Sequence, residues 1–185
     1  MPVNPNPQGK GLVPVLQGLD SHRLSRLLPA KPIDQIQREL FTSLFVLQSD
    51  IRFNPVPGRS YWLYQCEGRF RLLLVGPTEW SSGFRGRFIG ECILQSDRTW
   101  TLMLDAFMAQ DQAFMQQIDR ERNRLQQSLE AADAVEDILP VYEAGLTFYA
   151  RILAFTLGKS LRASMASAGI EGLSYSAARG LLTRQ

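Results

Sequence analysis

The chain has 185 residues, 45% of them hydrophobic and 21% charged, with a formal net charge of +2. That length and apolar fraction suit a globular chain able to bury a core without staples, and they exclude disorder for the bulk of it. Two cysteines, Cys66 and Cys92, exclude a disulfide scaffold, and a single histidine, His22, excludes a His-rich metal site.

The first eleven residues are polar and proline-rich, without the apolar stretch of a secretory signal. Pro2, Pro5, Pro7, Pro14 and Pro29 all fall within residues 1–31. Proline fixes φ and removes an amide donor, so this segment is expected to be an extended arm. Its apolar piece, Leu12 to Leu16, is expected to lie along the body or a neighbouring subunit.

Pro32 suits the first turn of a helix. Ile33, Ile36, Leu40, Leu44, Leu47 and Ile51 follow at intervals of three or four, which is a helical stripe. Asn54-Pro55-Val56-Pro57-Gly58 ends it. From residue 60 to 104 the spacing changes, and aromatic and β-branched residues dominate. Tyr61–Cys66 and Phe70–Val75 read as strands joined by a tight turn at Glu67-Gly68. Phe70, Leu72 and Leu74 are expected to face the core and Arg71 the outside. Phe88–Gln95 and Thr99–Leu104 read as two further strands around a turn at Ser96-Asp97-Arg98. Together they predict an antiparallel meander with one buried face.

Helical periodicity returns at Asp105. Phe114, Ile118, Leu125, Leu129 and Ala132 form a narrow seam of the kind that pairs with another helix. A second long helix is expected from Pro140 to about Ala168, stopped by Gly169. Its first half is apolar nearly all round: Val141, Tyr142, Leu146, Phe148, Tyr149, Ile152, Leu153, Phe155 and Leu157. Such a helix is expected to be buried on several sides, within the chain or against a second copy. It carries Glu143 and Arg151 and is too short for the roughly 20 apolar residues of a membrane span. A last short helix, Tyr175 to Leu182, follows a cap at Ser174 or Ser176.

The fold class expected is therefore α+β. One helix packs on a four-stranded antiparallel meander, and a long α-helical hairpin follows. The divisions are an arm at 1–31, a helix-plus-sheet domain at 32–104 and a helical oligomerisation region at 105–185.

Chemistry is sparse. Cys66 and Cys92 have no second cysteine or histidine near them and read as small buried hydrophobes, so no metal is expected. His22 sits beside Asp20 and Ser21 in the arm, and adjacency does not make a triad. Gly9-Lys10-Gly11 lacks the first glycine and the Ser/Thr of a phosphate loop. Glu79, Glu91, Asp97 and Asp105 stand near strand ends, where two facing carboxylates would separate their pKa values and do acid/base work. Residues 51–104 carry seven arginines against four carboxylates, and Tyr61, Trp62, Tyr64 and Phe70 lie among them. A basic, aromatic sheet is one way of binding single-stranded RNA, although an excess this small is slight for that class.

Four motifs follow one another in the strand region. Pro57-Gly58-Arg59-Ser60-Tyr61-Trp62-Leu63-Tyr64 comes first, then Pro77-Thr78-Glu79-Trp80, then Phe88-Ile89-Gly90. Leu94-Gln95-Ser96-Asp97-Arg98-Thr99-Trp100-Thr101 closes the series. In this order the segment 54–103 resembles the family called domain of unknown function 2452. The resemblance implies no activity, and residues 105–185 are not matched by it. Within the motifs, Glu79 or Asp97 is expected to accept from an indole N–H of Trp80 or Trp100, and Asp97 with Thr99 to fix a turn.

The candidate contact patch is the loop 77–87 with Tyr64, Glu79, Trp80, Asp97 and Trp100. The function expected is a non-catalytic binding or interaction module, without cofactor, forming a homo-oligomer through its C-terminal helices. A cytoplasmic location is expected, with neither membrane nor DNA as partner. The alternatives are a carboxylate-dependent enzyme at the same patch, or single-stranded RNA binding by the sheet.

Overall fold

Pro32 has no amide to satisfy and sits extended (φ −66°, ψ 153°) just ahead of the first helix, α1 (Ile33–Leu47). Its carbonyl accepts from the amides of Gln35 (3.0 Å) and Ile36 (3.1 Å). Ile33, Ile36, Leu40, Ser43, Val46 and Leu47 are buried along the helix, as the three-and-four spacing requires. The helix ends at Leu47; Ile51 lies beyond it but remains in the core. The structure, a computed structural model, describes residues 28–80, 84–140 and 145–182. Expectations for most of the arm, His22 included, and for Val141 and Tyr142 fall outside the described residues.

Strand β1 (Ser60–Cys66) turns through Glu67 and Gly68, both at positive φ (52° and 77°), into β2 (Arg69–Leu73). Paired positive φ values give the twist that suits a two-residue hairpin. Strand β3 (Arg87–Leu94) pairs with the other edge of β1, and β4 (Trp100–Leu104) pairs with β3. All pairings are antiparallel and the order is β2-β1-β3-β4. The α+β class and the four-stranded antiparallel sheet are as expected, but the strands do not follow a meander. Two-residue loops force neighbours together. The long connection 74–86, broken at Gly76-Pro77, carries the chain past β1 to its far edge.

The two sheet faces differ. Tyr61, Leu63, Leu72, Cys92, Leu94 and Trp100 belong to the main core under α1. Trp62, Tyr64 and Cys66 alternate with them on the opposite face. A bulge keeps both sets in place: Leu63 stands opposite Gly90 and Tyr64 opposite Phe88, so Ile89 is the extra residue. Leu74 was expected in the core and is exposed, because β2 has already ended at Leu73.

The helical half is organised around α1. The helical stretch expected from Asp105 is split into α2 (Ala106–Gln110) and α3 (Gln112–Ala131), and the seam from Phe114 to Leu129 lies within α3. Each begins at an aspartate cap: Asp105 accepts from the Phe107 amide (3.0 Å) and Asp111 from the Phe114 amide (2.9 Å). Helix α4 (Phe148–Ala168) starts after Pro140 by two turns, and stops at Gly169 in the left-handed conformation (φ 69°). Helix α5 (Tyr175–Leu182) completes the chain, with the Ser174 hydroxyl 3.3 Å from the Ala177 amide.

The expected α-helical hairpin is replaced by another arrangement. Helices α3, α4 and α5 all pack on α1, and α3 and α4 make few contacts with each other. A 3-10 turn at Val135–Ile138 and the stretch after it redirect the chain between them. Buried residues from Ile33 to Ala178 form one core. Leu153 and Leu157 of α4 are in it, whereas Phe148, Ile152 and Phe155 are 62%, 47% and 45% exposed in the single chain. Within the single chain the helix is therefore covered on one side, and the side carrying Phe148, Ile152 and Phe155 is left open. No helix among the described residues is long and apolar enough to cross a membrane.

A Cβ at Gly90 would lie 2.3 Å from the Met103 carbonyl oxygen, a backbone atom of the paired strand that cannot step aside. Gly90→Ala is expected to destabilise the fold by about 2 kcal/mol or more, in the range of overpacked cores. Urea denaturation with both variants at one pH checks this through the midpoint.

Candidate functional site

The five marked residues fall into two groups. Asp97 and Trp100 belong to the β3–β4 turn. The Gln95 amide donates to the Thr99 carbonyl (2.8 Å), and Asp97 Oδ1 accepts from the Thr99 amide (3.1 Å) and hydroxyl (2.7 Å). The turn is thereby fixed from within, as the sequence predicts. Asp97 Oδ2 takes a bond from the Lys31 ammonium (2.5 Å), which also reaches Glu39 (2.6 Å) on α1. Ser160 of α4 donates to the Asp97 carbonyl. The turn thus joins the start of α1 to the middle of α4.

Trp100 is 1% exposed and packs edge-on against Tyr61, with ring centroids 6.0 Å apart. Its amide donates to Ser43 on α1 (2.9 Å). Its indole N–H meets no acceptor among the described residues, so neither Glu79 nor Asp97 plays the expected part.

Tyr64, Glu79 and Trp80 meet at the other group, on the opposite sheet face. Trp80 Nε1 donates to the Tyr64 hydroxyl (2.9 Å), and that hydroxyl donates to the Val75 carbonyl (3.1 Å). Phe84 stacks on Trp80 at 3.9 Å and 13°, and Phe84 and Phe88 flank Tyr64 at 4.9 and 5.4 Å. Trp80 and Phe84 thus form an aromatic lid over Tyr64 of β1. Glu79 closes the 3-10 turn Pro77–Glu79 by accepting from the Gly76 amide (2.9 Å). The acceptor expected from Glu79 or Asp97 for the Trp80 indole is supplied by Tyr64 instead.

Electrostatics favour structure over acid/base work. Burial alone would raise the Asp97 pKa. Its bonds from Lys31 and Thr99 and the Lys31 charge outweigh that and hold it below the usual carboxylate value. Burial alone would lower the Lys31 pKa, and its bonds to Asp97 and Glu39 with their charges raise it instead. Burial raises the Tyr64 pKa, partly offset by the bond from Trp80. Glu79 and Asp97 belong to different groups, and each is occupied by a structural bond. Among the described residues no cluster of His, Cys, Asp and Glu is suited to a metal.

Cys66 and Cys92 are free and buried, on opposite faces of adjacent strands. Burial, with the nearby Glu91 charge, pushes the Cys92 thiol up to about 12.

Residues 42–127 match the family described as Protein of unknown function (DUF2452). No curated protein and no solved structure matches the chain at a significant level. The DUF2452 match runs wider than the four motifs, taking in part of α1 and most of α3. The resemblance legible in the strand region is thus borne out, and its limit at residue 103 is corrected: the match continues through α2 and most of α3. Each DUF2452 motif has a local task here. Tyr61 accepts the Val56 amide (2.6 Å), Glu79 caps its turn, Gly90 admits a neighbouring strand and Asp97 builds the β3–β4 turn.

Lys31, Ser43 and Ser160 were not marked in the sequence. Their partners lie 66, 57 and 63 residues away, so no local spacing announces them.

Two outcomes are expected. Asp97→Asn removes a charge partner from the buried Lys31, at a cost of about 2 kcal/mol at neutral pH, because Glu39 remains. A carboxylate whose folded pKa is depressed stabilises the fold fully above its unfolded value of about 3.9. The difference between wild type and Asp97→Asn is therefore full at pH 6 and shrinks as pH falls below about 4. Denaturant titrations across that range measure it. In the native protein Cys92 stays unalkylated by iodoacetamide at pH 8 and reacts in denaturant, as read by peptide mass spectrometry.

Proposed function

We propose that the protein is a non-catalytic binding module that associates with a second copy of itself through α4. What carries this is the exposed row Phe148, Ile152 and Phe155, at intervals of four and three along one helix face. Large apolar side chains in a contiguous row mark interaction surfaces. The four-and-three spacing is that of a seam meeting a like helix by knobs into holes.

Charge favours an antiparallel pairing. Helix α4 carries Arg151, Lys159 and Arg162 and no carboxylate. A two-fold axis near Ile152 sets Phe148 against the partner's Phe155. It also leaves the two Lys159 side chains about 20 Å apart along the helices, beyond a Debye length at physiological salt, and brings only the two Arg151 side chains, on the flank of the row, near each other, where a parallel pairing would oppose all three like pairs. Against an enzyme stand the separate positions of Glu79 and Asp97 and the lowered pKa of Asp97. A reducing, cytoplasmic setting is part of the proposal and fits two buried, unpaired thiols.

Multi-angle light scattering tests this. The wild-type chain is expected as a dimer at micromolar concentration. Ile152→Glu and Phe155→Glu, both at exposed positions, are expected to weaken it at least tenfold without lowering the unfolding midpoint of the monomer. A wild-type monomer at tens of micromolar overturns self-association.

A further inference from the structure

A cavity of about 510 Å³ lies along β2, lined by Arg52, Arg69 and Arg71 with Gly68, Gln48 and Thr147 among others. Arg69 and Arg71 are two apart on one strand, so their side chains leave the same face. Asp50 bridges to Arg71 through the backbone, with its amide on the Phe70 carbonyl (2.9 Å), and this brings Arg52 alongside. The cavity's one lining carboxylate, Asp50, is already bonded to Arg52 (2.8 Å). Among the described residues no carboxylate is paired with Arg69 or Arg71. The lining therefore holds three guanidinium groups against one occupied carboxylate.

A second cavity, of about 220 Å³, shares Asp50, Arg52 and Arg71 with the first. It continues along β2 to Phe53, Leu73 and Trp80, and its lining is almost wholly apolar. The two make one groove, basic towards the hairpin turn and apolar towards the aromatic lid. Guanidinium forks bind phosphate oxygens in pairs, and an indole with aliphatic neighbours takes a flat ring.

We propose that this groove binds a nucleoside phosphate, its phosphates on Arg52, Arg69 and Arg71 and its base against Trp80 and Leu73. No residue of the α4 row lines the groove, although Thr147 adjoins Phe148, so ATP binding by the Ile152→Glu variant shows whether the groove acts apart from self-association.

Equilibrium dialysis of the full chain with ATP, pyrophosphate, adenosine and a ten-residue oligouridylate tests it. ATP is expected to bind, pyrophosphate at least tenfold more weakly and adenosine more weakly still, with ATP affinity falling as KCl rises. The double variant Arg69→Gln/Arg71→Gln is expected to weaken ATP at least tenfold. Arg52→Gln, at a highly exposed position where folding is not at risk, is expected to weaken it several-fold. Arg120→Gln/Arg124→Gln on α3 is expected to leave it unchanged. Failure of ATP to bind overturns the proposal, as does undiminished binding in both groove variants. Binding of the oligonucleotide but not of ATP also overturns it, in favour of a polymeric ligand.

Discussion

The structure depends on the need to cover α1 from every side. The sheet face that carries Tyr61, Leu63, Leu72 and Trp100 needs a lid, and strands spaced about 4.8 Å apart make that face narrow enough for one helix. At fifteen residues α1 is about 22 Å long and fills the role. Once there, it presents its remaining apolar positions to solvent, and α3, α4 and α5 close over them. Three polar ties set the registration of these layers: Ser43 to the Trp100 amide, Lys31 to Asp97, and Ser160 to the Asp97 carbonyl. The Lys31 tie is largely buried, so it orients the layers more than it strengthens them; replacing such a pair by apolar groups often costs little.

Much of this was legible in the sequence, and for reasons of period. The α1 stripe, the Glu67-Gly68 turn, the alternation around Leu63 and the Gly169 stop each follow from a spacing or a residue with restricted geometry. What was not legible is what joins distant segments. Nothing between Leu73 and Arg87 states which edge of β1 the third strand takes. The narrow seam of Phe114, Ile118 and Leu129 says that α3 has a partner, but α1 and α4 are equally apolar, and only packing decides between them. The candidate patch was misjudged in the same way. Asp97 and Trp100 share a motif series with Glu79 and Trp80, yet strand pairing puts the two pairs on separate sides of the sheet.

The motif residues of the DUF2452 segment are thus occupied with building turns, caps and a bulge. Large apolar groups remain exposed on α4, and Arg69 and Arg71 on β2 have no carboxylate partner among the described residues. This division is physically reasonable: residues satisfied by their own chain have little left to offer a partner.

The contacts that finish the core are far apart along the chain. Gln37 of α1 meets Tyr175 across 138 residues, and Thr147 meets Ile51 across 96. During synthesis the sheet and α1 leave the ribosome well before the helices that shelter them, and the half-built protein shows the uncovered side of α1 to the crowded cell while translation runs on.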